Sequence, residues 1–179
     1  DIQKGSISII NDKTTESEKV FNIKVTAKPR VLIVGAVHIS QHLIPMAKEA
    51  GFDVVLIDPR SHFGTSERFP EVEVSNEWPD EALKNFKLSD KDCLVTLSHD
   101  PKIDDPALQI ALARPLFSIC CLGSKRTHAA RKNRLLNSGI TEQQFDRIHG
   151  PAGLDINAKT PAEIAVSYTQ LTLPTILPV

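Results

Sequence analysis

From Arg30 onward the chain alternates short apolar runs with segments of helical spacing. Val31, Leu32, Ile33 and Val34 form a branched run into Gly35 and read as a buried parallel strand, expected over 30–35. Leu43, Ala47 and Ala50 then recur on one helical side, predicting a helix over 39–50 that Gly51 closes. The same reading predicts strands at 53–57, 72–74, 93–97 and 117–122. Between them it predicts a short helix from Trp78-Pro79-Asp80-Glu81, a helix over 105–113 and a longer one over 125–138. Thr141 with Gln144 has the spacing of a capping box, and Thr160-Pro161-Ala162-Glu163 combines an N-cap, Pro at N1 and Glu at N3.

Strands alternating with helices imply an α/β fold: a doubly wound, Rossmann-like parallel sheet with helices on both faces. Such a sheet collects the carboxyl ends of its strands at one edge, where ligands bind. Residues 1–28 are polar, with hairpin-like stretches at 6–10 and 20–25, and read as a leader or the remnant of a preceding domain. The domain proper is expected over 29–167. Residues 168–179 carry no charge and two prolines, and read as an atypical tail that interrupts the last helix. A foreign junction or a strand that pairs with another chain would account for them.

Composition narrows the class. The chain has 179 residues, 41% hydrophobic and 24% charged, enough for one domain with a real core. A formal net charge of −1 gives no general reason to expect nucleic acid or an anionic membrane as partner. No apolar run approaches the roughly 20 residues of a membrane span. Three cysteines, Cys93, Cys120 and Cys121, do not look like a disulfide framework, and a cytoplasmic setting is expected.

The strand-ending loops carry the candidate chemistry. Gly35 opens the first turn, but the dinucleotide fingerprint G-x-G-x-x-G requires glycines at 37 and 40 as well, where this chain has Val37 and Ser40. A β-branched residue at 37 crowds a pyrophosphate and tolerates positive φ poorly. The loop Gly35-Ala36-Val37-His38 is nonetheless a candidate cofactor contact. Asp58, 23 residues past Gly35, stands where an acid accepts from an adenosine ribose, and Arg60 could meet a ribose phosphate. Asp-Pro as a plain turn is the alternative. His99 and Asp100, with Asp104 and Asp105, offer ligands for a metal or groups for proton transfer, or else cap the following helix, the reading we favour. Gly123-Ser124-Lys125-Arg126 combines a capping Ser with basic residues at a helix start, and Arg131 adds charge at that end. Cations oppose the helix dipole there, so a bound phosphate would explain them; a solvated basic face is the alternative.

The ordered motifs resemble one family. Pro29-Arg30-Val-Leu-Ile-Val-Gly-Ala-Val-His38, Ile57-Asp-Pro-Arg60, Glu67-Arg-Phe-Pro70, Ser98-His-Asp-Pro-Lys102, Leu122-Gly-Ser-Lys-Arg-Thr-His128, Arg147-Ile-His-Gly-Pro151 and Thr160-Pro-Ala-Glu-Ile-Ala165 are similar to the C-terminal Rossmann domain of the XdhC/CoxI family. These are accessory factors of xanthine dehydrogenase and related molybdenum hydroxylases. The resemblance implies binding of molybdenum cofactor (molybdopterin), or of NAD(P), and delivery to the apoenzyme. A molybdenum hydroxylase apoenzyme is then the expected partner, with a cysteine desulfurase and a second copy of the chain as further candidates. The family usually has Gly-Ala-Gly-His where this chain has Gly-Ala-Val-His. The alternatives are an NAD(P)-dependent oxidoreductase and a non-catalytic interaction module with an empty cleft.

Overall fold

The structure, a computed structural model, describes residues 28–172, with side chains to residue 168. The hairpin expected within 1–28 lies outside the described residues, as do residues 173–179. The elements run β1 (Arg30–Val34), α1 (His38–Glu49), β2 (Asp53–Ile57), β3 (Glu73–Ser75), α2 (Pro79–Lys84), β4 (Asp92–Thr96), α3 (Pro101–Leu112), β5 (Ser118–Cys121), α4 (Lys125–Asn137), α5 (Glu142–Phe145), β6 (Ile148–His149) and α6 (Pro161–Thr172).

The six strands form one parallel sheet in the order β3-β2-β1-β4-β5-β6. The order reverses between β1 and β4, which creates the crevice where doubly wound sheets bind ligands. The register keeps the strand ends level: Val34 pairs with Ile57 and with Thr96, and Thr96 with Cys121. The loops after β1, β4 and β5 therefore emerge side by side.

Strand alternation splits the core in two. Leu32, Val34, Leu94, Ile119 and Cys121 face a layer that includes Ala82, Ile103, Leu108, Leu135 and Phe145, from α2, α3, α4 and α5. Val31, Ile33, Cys93, Val95 and Cys120 face α1 and α6 through Ile39, Leu43, Ala47, Ala165 and Tyr168. Leu32, Ile33 and Leu94 are fully buried. Each such side chain contributes roughly 1.5–3 kcal/mol through burial.

Several element ends differ from the sequence reading by one residue, as in β1, α1, β4, β5 and α4, with further departures elsewhere. The third strand is shifted by one residue, to Glu73–Ser75. Helix α3 begins at Pro101 rather than 105, because Asp100 caps it and Pro101 occupies the first turn, where no N–H is needed. The strand β6 was not expected, since two residues carry no periodicity. The expectation that residue 168 interrupts the last helix is corrected: α6 continues to Thr172 and Tyr168 is fully buried. Ala165 and Tyr168 are three apart, so one helical face carries both into the layer shared with α1. At its start, Thr160 Oγ1 accepts from Glu163 N–H at 3.2 Å while Glu163 Oε2 accepts from Thr160 N–H at 2.9 Å.

Candidate anion site at the carboxyl edge of the sheet

The β1–α1 turn is closed by its own neighbours. Gly35 has φ +115°, and a Cβ there would lie 2.7 Å from the Ser98 nitrogen, so the two loops meet at backbone distance. The buried Ala36 donates its N–H to Asp58 Oδ2 at 2.7 Å, and its carbonyl accepts from Arg68 Nη1 at 3.1 Å. Val37 sits at φ −97° and ψ 178°, extended backbone that any residue adopts. The expected conflict between a β-branched side chain and positive φ is therefore absent. Its half-buried side chain packs onto the α1–α6 face. Ser40, at the third fingerprint position, is buried and donates its hydroxyl to the Val37 carbonyl at 2.6 Å. His38 is the exposed first residue of α1.

Asp58 is engaged by groups of its own chain. It is fully buried. Besides Ala36, it accepts from Arg60 N–H at 3.0 Å, Arg60 Nε at 2.9 Å and Arg60 Nη2 at 2.8 Å. Burial works against its charge, but the Arg60 guanidinium and the two backbone N–H groups outweigh that and hold its carboxyl below the usual range. Arg60 is also stacked over Phe63 at 4.4 Å. Asp58 thus fastens the β1–α1 turn to β2, and binding a ribose would require its present bonds to be exchanged. Arg68, which also holds the turn, stands in the motif Glu67-Arg-Phe-Pro70, but its role there is not readable because its partner Ala36 lies 32 residues away.

The β4–α3 loop contributes a second set. His99 is exposed and held at φ +62°. Burial of part of the ring and the field of Arg131 both push its pKa down. Asp100 caps α3, accepting from Lys102 N–H at 2.9 Å. Asp104 and Asp105 lie within α3: Ser98 Oγ donates to Asp104 Oδ1 at 2.6 Å, and Asp105 pairs with Arg134 at 2.6 Å. Burial pushes the Asp104 carboxyl up to about 6 against the opposing pull of Ser98 and Arg131. No group of three His, Cys, Asp or Glu side chains among the described residues is arranged for a metal ion.

The β5–α4 loop is where positive charge gathers. Gly123 has φ +144°, and Thr127 fills the space beside it. Ser124 caps α4 by accepting from Thr127 N–H at 3.1 Å. The N–H groups of Lys125 and Arg126, in the first turn, have no intrahelical acceptor. Both side chains are exposed, and the first turn carries no acid. Behind them lies Arg131, with a side chain only 2% exposed. Helical side chains lean toward the N-terminus. Arg131 follows that rule: its Nη2 donates to the Leu122 carbonyl at 3.0 Å and stands 3.9 Å from Asp104 Oδ2. Its Nε and Nη1 are buried without a hydrogen-bond acceptor. His128, next on the helix face, is pushed down by burial, Arg131 and Lys132.

The neighbouring cysteines are buried, which disfavours their thiolate form. Burial pushes the Cys121 and Cys93 thiols up to about 12, and raises Cys120 as well. A cleft of about 350 Å³ opens at the opposite edge, lined by residues that include Arg30, Lys48, Asp53 and Glu71, and holds none of the candidate residues.

Sheet order and level strand ends define a doubly wound Rossmann domain, whose carboxyl edge carries the exposed basic start of α4. The chain belongs to the XdhC Rossmann domain family, whose model matches residues 31–169. It is 29% identical over 168 residues to a probable xanthine dehydrogenase subunit of Bacillus subtilis strain 168, covering 93% of this chain and 49% of that protein. It is 28% identical over 153 residues to the uncharacterized protein YqeB of Escherichia coli strain K12, covering 78% of this chain and 26% of that one. A crystal structure of a xanthine dehydrogenase from Bacillus halodurans superposes with a TM-score of 0.71 at 30% identity, over 84% of this chain and 45% of that one. The chain thus spans half or less of the length of these relatives.

Proposed function

We propose that this domain acts in the maturation of xanthine dehydrogenase-type molybdenum hydroxylases, holding a phosphate-bearing cofactor of the molybdopterin class at the β5–α4 edge. The observation that carries the reading is the start of α4. Two first-turn N–H groups face outward, exposed Lys125 and Arg126 flank them, and no acid offsets the charge. Such an end attracts an oxyanion through fixed donors and the helix dipole together. Membership of the XdhC family and the xanthine dehydrogenase names of two relatives support a role alongside a molybdenum hydroxylase, and a cofactor of the molybdopterin class is our reading of what that role would require.

The residues have separable tasks under this reading. Ser124 fixes the helix start, leaving the N–H groups of Lys125 and Arg126 to take phosphate oxygens. Lys125 and Arg126 draw the anion in and screen its charge. Asp58, Arg60 and Arg68 hold the neighbouring turn rigid.

The donor set fits a phosphate better than a dinucleotide. In the β1–α1 turn the Ala36 N–H is already spent on Asp58, and Val37 occupies the sequence position of the second glycine that lets a pyrophosphate approach. The test is equilibrium dialysis of the purified chain, under anaerobic conditions, against molybdenum cofactor, NAD and NADP. Saturable binding of molybdenum cofactor is expected. Failure of all three to bind would sink the proposal.

A further inference from the structure

At the end of β4 one hydroxyl has two acceptors within reach. Ser98 Oγ donates to Asp104 Oδ1 at 2.6 Å, and the Asp100 carbonyl stands 3.4 Å from the same hydroxyl. A hydroxyl carries one proton and two lone pairs, so it serves one of these acceptors at a time. It also accepts from the Asp100 N–H at 3.1 Å. Ser98 and Asp100 thus close a tight turn around His99, which is held at φ +62°. That left-handed backbone is uncommon for a residue with a side chain, and such outliers gather at switch regions.

Asp104 decides which acceptor is served. Its side chain is buried. Besides Ser98 and its helix neighbour Asp105, it is faced by Arg131 and Arg134 from α4, Arg60 from the loop after β2, Cys121 from β5 and Tyr168 from α6. The 2.6 Å bond has the length of a hydroxyl donating to an ionised carboxylate. The other oxygen, Oδ2, lies 3.9 Å from Arg131 Nη2, a donor that never loses its charge. A proton taken up by Asp104 is therefore disfavoured on Oδ2. On Oδ1 it meets the Ser98 oxygen, provided the hydroxyl turns its own proton away, and the Asp100 carbonyl is there to receive it. One proton enters from solvent, the Ser98–Asp104 bond reverses its donor, and no buried donor is stranded. Burial pushes the Asp104 carboxyl up to about 6, which brings this exchange close to neutral pH.

We propose that Asp104 and Ser98 form a proton-operated switch in the β4–α3 loop: ionised Asp104 holds the Ser98 hydroxyl, and protonated Asp104 turns it to the Asp100 carbonyl, tightening the turn that carries His99. The change is placed to spread. Gly35 meets Ser98 at backbone distance, and the loop borders the crevice between β1 and β4. The switch goes beyond the cofactor proposal and does not rest on it.

Nuclear magnetic resonance of the full native chain reads both halves of the switch. The Asp104 carboxyl carbon and the amides of Ser98 and Asp100 are followed from about pH 4.5 to 8. They are expected to titrate together. His99 titrates close by in every variant, so only the amide response that Asp104→Asn abolishes counts. Asn offers a donor and an acceptor as the protonated acid does, so the Asp104→Asn amides at high pH should match those of the native chain at low pH. Ser98→Ala removes the turning hydroxyl: Asp104 should still titrate, at a higher midpoint, with the Asp100 amide no longer following. The native titration stands even where a variant fails to fold. An Asp104 that titrates while the native Ser98 and Asp100 amides stay still would overturn the proposal. So would an Asp104 that keeps one protonation state throughout, or an Asp100 amide that follows Asp104 equally well in Ser98→Ala.

Discussion

Val37 and Asp104 show how a residue's chemistry depends on what its neighbours have already taken. At position 37 the backbone is extended, so glycine would relieve no strain. Val37→Gly would clear space, yet the Ala36 N–H and the Asp58 carboxylate would remain engaged with each other. The variant is expected to bind NAD no better than the parent, and to lose up to about 1 kcal/mol of stability from the freer unfolded chain. Calorimetric titration together with urea unfolding reads both; a tenfold gain in NAD affinity would contradict this view of the turn. Asp104 gives a pH signature. Its folded-state pKa of about 6 lies above the ordinary value of 3.8, so the native state binds the extra proton between those values. Its contribution to stability is present below about pH 4 and is lost as pH rises through 6. Urea unfolding of the parent and of Asp104→Asn over pH 4–7 should show the parent losing roughly 2–3 kcal/mol relative to the variant. A parent that gains over that range would mean that Arg131, not burial, governs this carboxyl.

The elements show where sequence pattern is informative and where it fails. Strand β2 and the starts of α2, α4 and α5 are legible because apolar runs and cap residues are local signals. The pattern puts α3 four residues late, whereas Asp100 and Pro101 have already opened the helix and Pro106 lies inside it. The end of α6 is misleading for a different reason. Residues from 168 onward have no charge and strand-like character, but Tyr168 is committed by tertiary packing between α6 and α1. Tyr168→Ala is accordingly expected to cost about 3–5 kcal/mol in thermal or urea unfolding, as large aromatic truncations in a core do. A loss under 1 kcal/mol would mean that this turn of α6 is dispensable to the layer.

At the scale of the molecule, the alternation of strands and helices is sufficient for the doubly wound sheet, and that sheet alone brings the loops after β1, β4 and β5 together. The basic start of α4 is readable as well, since Ser124, Lys125 and Arg126 are adjacent. The tertiary role of Asp58 is not readable, nor is the enclosure of Arg131. Both depend on partners far away in the chain: Ala36 lies 22 residues from Asp58, and Asp104 belongs to another helix. The same distance explains why a ribose-binding acid and a loop-fastening acid look alike in sequence. Under the proposed function, the start of α4 is the place where cofactor phosphate is held. The most direct test is the affinity of molybdenum cofactor for the parent chain and for the double variant Lys125→Glu with Arg126→Glu, measured by anaerobic fluorescence titration. Both side chains are exposed, so the fold should persist, and circular dichroism checks that it does. Saturable binding to the parent and a loss of at least about tenfold in the variant are predicted; equal affinity for the two chains would contradict the proposed site.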